Sequence, residues 1–144
     1  MYLLDSNVYI HAFNNSAFGQ ELQEFHDKHL PQIALSVVVA HELLVGATTS
    51  AKERSLRRGL IDPFRRRRRI LVPSQRTWEM AANADRRLRR LKVFNASLTQ
   101  RSFFNDVLIA ATARDFGAVI ITENVKDFAV IARGLDIRFS LPWP

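Results

Sequence analysis

The sequence predicts an α/β fold built on a parallel sheet, and three observations carry that prediction. Short apolar segments alternate with longer stretches of helical periodicity. The 144 residues, 47% of them hydrophobic, are enough for a sizeable core, so residues 1–144 are read as a single domain. Three acidic residues, Asp5, Glu42 and Asp106, each interrupt an apolar segment. An open parallel sheet can gather such groups, because its ligands bind beyond the carboxyl ends of the strands.

Residues 2–4 form the first strand and feed a helix that starts near Ser6 or Asn7. A second helical stretch covers about 18–29 and stops at Pro31. Residues 33–35 form the second strand, and Ser36 caps the helix carrying Glu42. That helix ends at Gly46 or in Thr48-Thr49-Ser50, and residues 51–64 continue as helix until Asp62-Pro63 breaks them. Residues 70–72 make a third strand closed by Pro73. Ser74 then caps a long helix to about Val93, with Trp78, Ala81, Leu88 and Leu91 inward. A loop at 95–99 leads to the Asp106 helix, which Gly117 ends. Residues 118–121 are a buried strand, Asn124 opens a helix that Gly134 ends, and residues 137–139 form a last edge strand. There is no internal repeat or linker, and the only low-complexity tract is the arginine run at 65–69.

Composition narrows the function classes. No apolar run approaches the roughly 18 residues of a membrane helix, so no membrane association is expected. Asp5 follows Met1-Tyr2-Leu3-Leu4 directly, which is not a secretory pattern. The absence of cysteine rules out disulfides and thiolate metal sites and fits a cytoplasmic protein. The net charge is +7, from 21 basic and 14 acidic residues. A basic surface around an acidic, metal-binding pocket suits a polyanionic substrate.

The acids carry the chemistry. Asp5 lies in MYLLDSNVYI, Glu42 in ALSVVVAHELLVGA and Asp106 in SFFNDVLIAATARDFG, with no basic residue beside them on the apolar faces. An ionised carboxylate out of water costs many kcal/mol unless paired, hydrogen-bonded or metal-bound. A shared divalent metal explains all three at once. Asp5 and Thr122 follow strands directly, and Asn124 joins them on one rim. Phe103, Asp106, Ala110, Ala113 and Gly117 share a stripe that turns Asp106 inward.

Plainer readings stand beside these. Asp5 suits a helix cap, although Ser6 can do that work and leave Asp5 free. Glu42 suits a solvated helix edge and Asp106 a buried hydrogen-bonded position. Asn124 with Asp127 resembles a variant capping box, against a reading in which Thr122 and Asn124 hydrogen-bond the acidic cluster and Asp127 supports it from the rim. Asn105 reads as peripheral, His41 as no ligand and Glu123 as exposed. Trp78, Phe103 and Phe104 read as core. The arginines at 54, 57, 58 and 65–69 read as a solvated face with scope for phosphate contact, as do Arg86, Arg87, Arg89, Arg90 and Lys92. Asp85 has Arg89 at i+4 as a plain ion-pair partner. His11, His26, His29 and His41 form no recognisable acid–base pair.

At these residues LLDSNVYI, VVVAHELLVGA and FFNDVLIAATARDFGAVIITENVKDF together resemble the PIN-domain nucleases, and among them the VapC-type toxins of toxin–antitoxin pairs. The resemblance runs in order over essentially the whole chain. It implies a three-layer α/β/α sandwich, a homodimer, inhibition by a small antitoxin, and Mg2+- or Mn2+-dependent cutting of RNA. It makes Asp5, Glu42 and Asp106 the catalytic, metal-binding acids. Ser6 stands where the family has Thr or Ser, and the fourth position of the cluster falls near Asn124 or Asp127. Oxygen ligands of this kind suit hard cations. A phosphoaspartate hydrolase wants a second acid where Asn7 stands, and a receiver domain wants an acidic pair at the end of the first strand. Asn124 keeps open the alternative of a catalytically weak or inactive nucleic-acid-binding module.

Overall fold

The computed structural model describes residues 1–91 and 101–144. The predicted loop at 95–99, the helix end at Val93 and Lys92 lie outside the described residues. Five strands form one parallel sheet in the order β3-β2-β1-β4-β5. They are β1 (Tyr2–Leu4), β2 (Ile33–Ser36), β3 (Ile70–Leu71), β4 (Val119–Ile121) and β5 (Arg138–Ser140). β1 is central, with Leu3 opposite Ala34 on one side and Ile120 on the other. Leu3, Leu4, Ile33, Leu35, Ile120 and Ile121 are fully buried, as expected of strands covered on both faces.

Helices α1 (Ser6–Asn14), α2 (Ser16–His29), α3 (Val37–Gly46), α4 (Ser50–Leu56) and α5 (Asp62–Arg66) connect the first three strands. Helices α6 (Gln75–Arg90), α7 (Arg101–Asp115) and α8 (Val125–Ile131) belong to the second half of the chain. Right-handed crossovers put these two groups on opposite faces of the sheet, which makes the α/β/α sandwich. The chain steps from β1 leftward to β2 and β3, then returns to β4 on the right. The switch point therefore lies between the carboxyl ends of β1 and β4.

Several helix details differ from the prediction. Residues 50–66 pass through Asp62-Pro63 without a break, by way of a π-helical turn at Arg57–Ile61. The Asp62 N–H reaches back five residues to the Arg57 carbonyl. The wider turn makes room for the Pro63 ring, which in a regular helix would press on the carbonyl four residues earlier. In α6 the inward line is Thr77, Ala81, Ala84 and Leu88, while Trp78 and Leu91 are about half exposed, at 49% and 50%. Thr77 takes the inward place because it completes a capping box with Ser74 and donates to Asp115 at 2.8 Å. Trp78 is displaced to the flank, where its ring centroid lies 5.8 Å from that of Phe104, also an exposed residue. Phe103 is core. Gly117 ends the α7 segment at φ +66°, with Ala118 N–H donating to the Ala113 carbonyl at 2.8 Å.

Candidate functional site

Asp5 follows β1 without a spacer and is 2% exposed. It, rather than Ser6, caps α1: its Oδ1 accepts from the Ser6 N–H at 2.8 Å. Its Oδ2 accepts from Asn7 Nδ2 at 2.7 Å and from the Thr122 hydroxyl at 2.8 Å. Burial raises the Asp5 carboxyl to about 6, and the charge of Glu42 adds to this, while the bonds from Thr122, Ser6 and Asn7 pull the other way.

Thr122 follows β4 and is fully buried. Its hydroxyl donates to Asp5 and accepts from Asn7 Nδ2 at 3.2 Å and from the Asn124 N–H at 2.9 Å. One donor and two acceptor positions are all that a hydroxyl has, so Thr122 is saturated. It joins the ends of β1 and β4 at the switch point.

Asp106 sits in α7 at 8% exposure, its Oδ2 accepting from Asn124 Nδ2 at 3.3 Å. Burial raises this carboxyl to about 8, helped by the charges of Asp5, Glu42 and Asp127. Glu42, half-buried in α3, accepts at Oε1 from Asn105 Nδ2 at 2.9 Å. Its Oε2 is buried without a hydrogen-bond partner among the described residues. The structure thus sets the three acids near enough that the charge of Glu42 raises both Asp5 and Asp106, and that of Asp5 raises Asp106. It does not close them: among the described residues no three acidic or histidine side chains form a ready-made metal cage.

Each carboxylate is held by an asparagine, Asp5 by Asn7, Glu42 by Asn105 and Asp106 by Asn124. Sequence reasoning passed over Asn7 and set Asn105 aside as peripheral. The available signal was adjacency: Asn7 is two residues beyond Asp5, and Asn105 precedes Asp106. Asn124 is not a capping-box residue. Its side chain makes no cap bond and donates instead to Asp127 Oδ2 at 2.9 Å. Ser6 contributes its backbone N–H.

At the rim, Glu123 is exposed, donates its N–H to Asn7 Oδ1 at 3.2 Å and pairs with His11 Nδ1 at 3.0 Å. His11 therefore does have a carboxylate partner, and it stacks on Phe18 at 4.0 Å. His41 is exposed. A cleft of about 780 Å3 opens beside Glu42, lined by residues of α1 to α4 and the π turn. Tyr9 and His26 face it with the hydroxyl and Nε2 unpartnered among the described residues, and burial holds the imidazole below its usual range. In the basic runs, Arg65 is paired with Asp62 and Arg57 with Glu53, and Arg69 donates to the Ile33 carbonyl. Asp85 and Arg89 pair at 3.1 Å, as the i, i+4 spacing predicted.

An all-oxygen donor set, two carboxyls raised chiefly by burial and an orphaned Glu42 oxygen fit a hard divalent cation better than any uncharged ligand. The PIN domain family model matches residues 2–134. No curated protein matches the chain. Among solved structures, a DNA-bound VapBC from Salmonella typhimurium is 23% identical over 97% of this chain and 96% of its own, with a TM-score of 0.74. FitAcB from Neisseria gonorrhoeae is 22% identical over 99% of each chain, with a TM-score of 0.75. A toxin–antitoxin complex from Klebsiella pneumoniae is 26% identical over 99% of this chain and 98% of its own, with a TM-score of 0.68.

Proposed function

Since the chain belongs to the PIN domain family, we propose that it is a metal-dependent endoribonuclease, the toxin of a toxin–antitoxin pair. The observation that carries this reading is the set of three carboxylates, Asp5, Glu42 and Asp106, each tethered by an asparagine amide at the switch point of a parallel sheet. These three would hold Mg2+, or Mn2+ in its place. When bound, such an ion supplies charge that acidifies a water and offsets the negative charge gathering on the phosphate during in-line attack.

The protein's own part is positional. Asp5 is fixed by three hydrogen bonds and its place after β1, so it sets the origin of the site. Glu42 and Asp106 each accept a single amide bond and are held less tightly than Asp5. Thr122 keeps β1 and β4 in step, while Ser6, Asn124 and Asp127 complete the rim. We read residues 1–144 as one such domain, acting in the cytoplasm as a homodimer. The similar structures from Salmonella and Klebsiella are complexes, which supports a cognate antitoxin here. The cleft beside Glu42, where apolar side chains such as Ile10, Phe13 and Leu60 mix with polar ones such as Gln23, His26 and Lys52, suits a segment of that partner.

The test is cleavage by purified protein with the fragment ends mapped. Attack by water leaves a 5′-phosphate and a 3′-hydroxyl, needs Mg2+ or Mn2+, and stops in EDTA. A 2′,3′-cyclic phosphate, or cutting that survives chelation, overturns the metal mechanism. Binding of RNA without any cutting selects the inactive-module reading instead.

A further inference from the structure

The Asn124 side chain lies between two carboxylates. Its Nδ2 carries two hydrogens, and the two acceptors within reach are Asp127 Oδ2 at 2.9 Å and Asp106 Oδ2 at 3.3 Å. A neutral amide thus takes the bridging position that a cation would need if it were shared by Asp106 and Asp127. The residue is also pinned from behind. Its backbone N–H donates to the Thr122 hydroxyl at 2.9 Å, and that hydroxyl donates to Asp5. Displacing Asn124 would therefore disturb the network that orients Asp5.

Glu42 is different. Its charge and that of Asp5 act on Asp106, and its Oε2 is buried with no partner among the described residues. The cluster thus lacks a donor at Glu42, while Asp106 and Asp127 already share an amide. We propose that the pocket takes a single divalent ion, held between Asp5, Glu42 and Asp106, and that the Asn124 amide occupies the place of a second. The proposal rests on the metal reading above and fixes its stoichiometry. Asp127 then binds no ion; it anchors the amide.

Asn124→Asp tests this, because it removes both donors and puts a carboxylate between Asp106 and Asp127. Bound Mn2+ is counted from the loss of the free-ion resonance signal as metal is titrated into the full chain, with circular dichroism as the check on folding. A single ion is expected for the wild type and a second for Asn124→Asp. Adding Asp127→Asn to that variant should return the count to a single ion. Two ions in the wild type, or no gain in a folded Asn124→Asp, overturns the proposal and leaves the nuclease reading standing. No bound ion in the wild type overturns both. Should Asn124→Asp fail to fold, the wild-type count still decides.

Discussion

Replacing Asp106 by Asn should make the metal-free protein more stable above neutral pH. The Asp106 carboxyl ionises near 3.8 in the unfolded chain and near 8 in the folded one. Between those values the folded protein binds the extra proton, so stability falls as pH rises through the window. The loss is absent below about pH 4 and complete above about pH 8. At ~1.36 kcal/mol per pH unit the ceiling is ~6 kcal/mol for a carboxyl 8% exposed. Relaxation and water entry reduce such costs, leaving a gain of ~2 kcal/mol for Asp106→Asn at pH 8, or ~4–8 °C in Tm. The amide is isosteric, and its oxygen can still accept from Asn124 Nδ2.

Asp5 is raised to about 6 and contributes a slope of the same sign, but only below that pH. Asp106 is thus best isolated between pH 6 and pH 8. The assay is urea unfolding in EDTA at both pH values, repeated with saturating Mn2+. The wild type should lose stability from pH 6 to pH 8 and regain it with Mn2+, because an ion that binds only the folded state stabilises it. Asp106→Asn should show a flatter pH response and a smaller gain from metal. A variant with the wild-type slope between pH 6 and 8, or an undiminished metal response, would refute the argument.

Two further outcomes follow from the same structure. Expression without a partner should arrest growth, and Asp5→Ala or Glu42→Ala should relieve the arrest while the protein stays folded; arrest persisting in both folded variants would clear the acids of responsibility. Gly134→Ala would put a Cβ 3.0 Å from the Ala84 carbonyl oxygen and 3.0 Å from Leu88 Cγ, and this overpacking should cost ~1–3 kcal/mol, read as a lower urea midpoint at constant m. An unchanged midpoint would mean that α6 gives way more easily than its packing suggests.

Much of this architecture was legible because strands and acids leave strong local marks. Leu3-Leu4-Asp5 and Ile120-Ile121-Thr122 each read as a buried strand ending in a polar group, and the sheet places both ends on one rim. The partners of the acids were less visible. Which amide meets Glu42 depends on how α3 approaches α7, so Asn105 looked peripheral until the helices were packed. Periodicity alone put Trp78 and Leu91 inside. It could not see that Thr77, tied to Ser74 and Asp115, claims the inward position at the start of α6. Pro63 was read as a break because a proline cannot continue a regular helix, whereas one widened turn absorbs it. Asn124 and Asp127 have the spacing of a cap, and only the direction of the Nδ2 group separates a cap from a bridge.

The central position of β1 also has a consequence for synthesis on the ribosome. Of the five strands of this sheet the earliest in sequence is the one that needs neighbours on both sides, and the Asp5–Thr122 bond spans 117 positions of sequence. At roughly 5–20 residues per second, β1 waits on the order of 6–25 s after its own synthesis before β4 exists to flank it. Contacts of such long sequence separation also form late in folding, since the loop they close must first lose its freedom. A nascent chain therefore carries Asp5 and Glu42 well before it carries the rest of the pocket. The acidic pocket therefore stays incomplete until β4 and the Thr122 that follows it have been made.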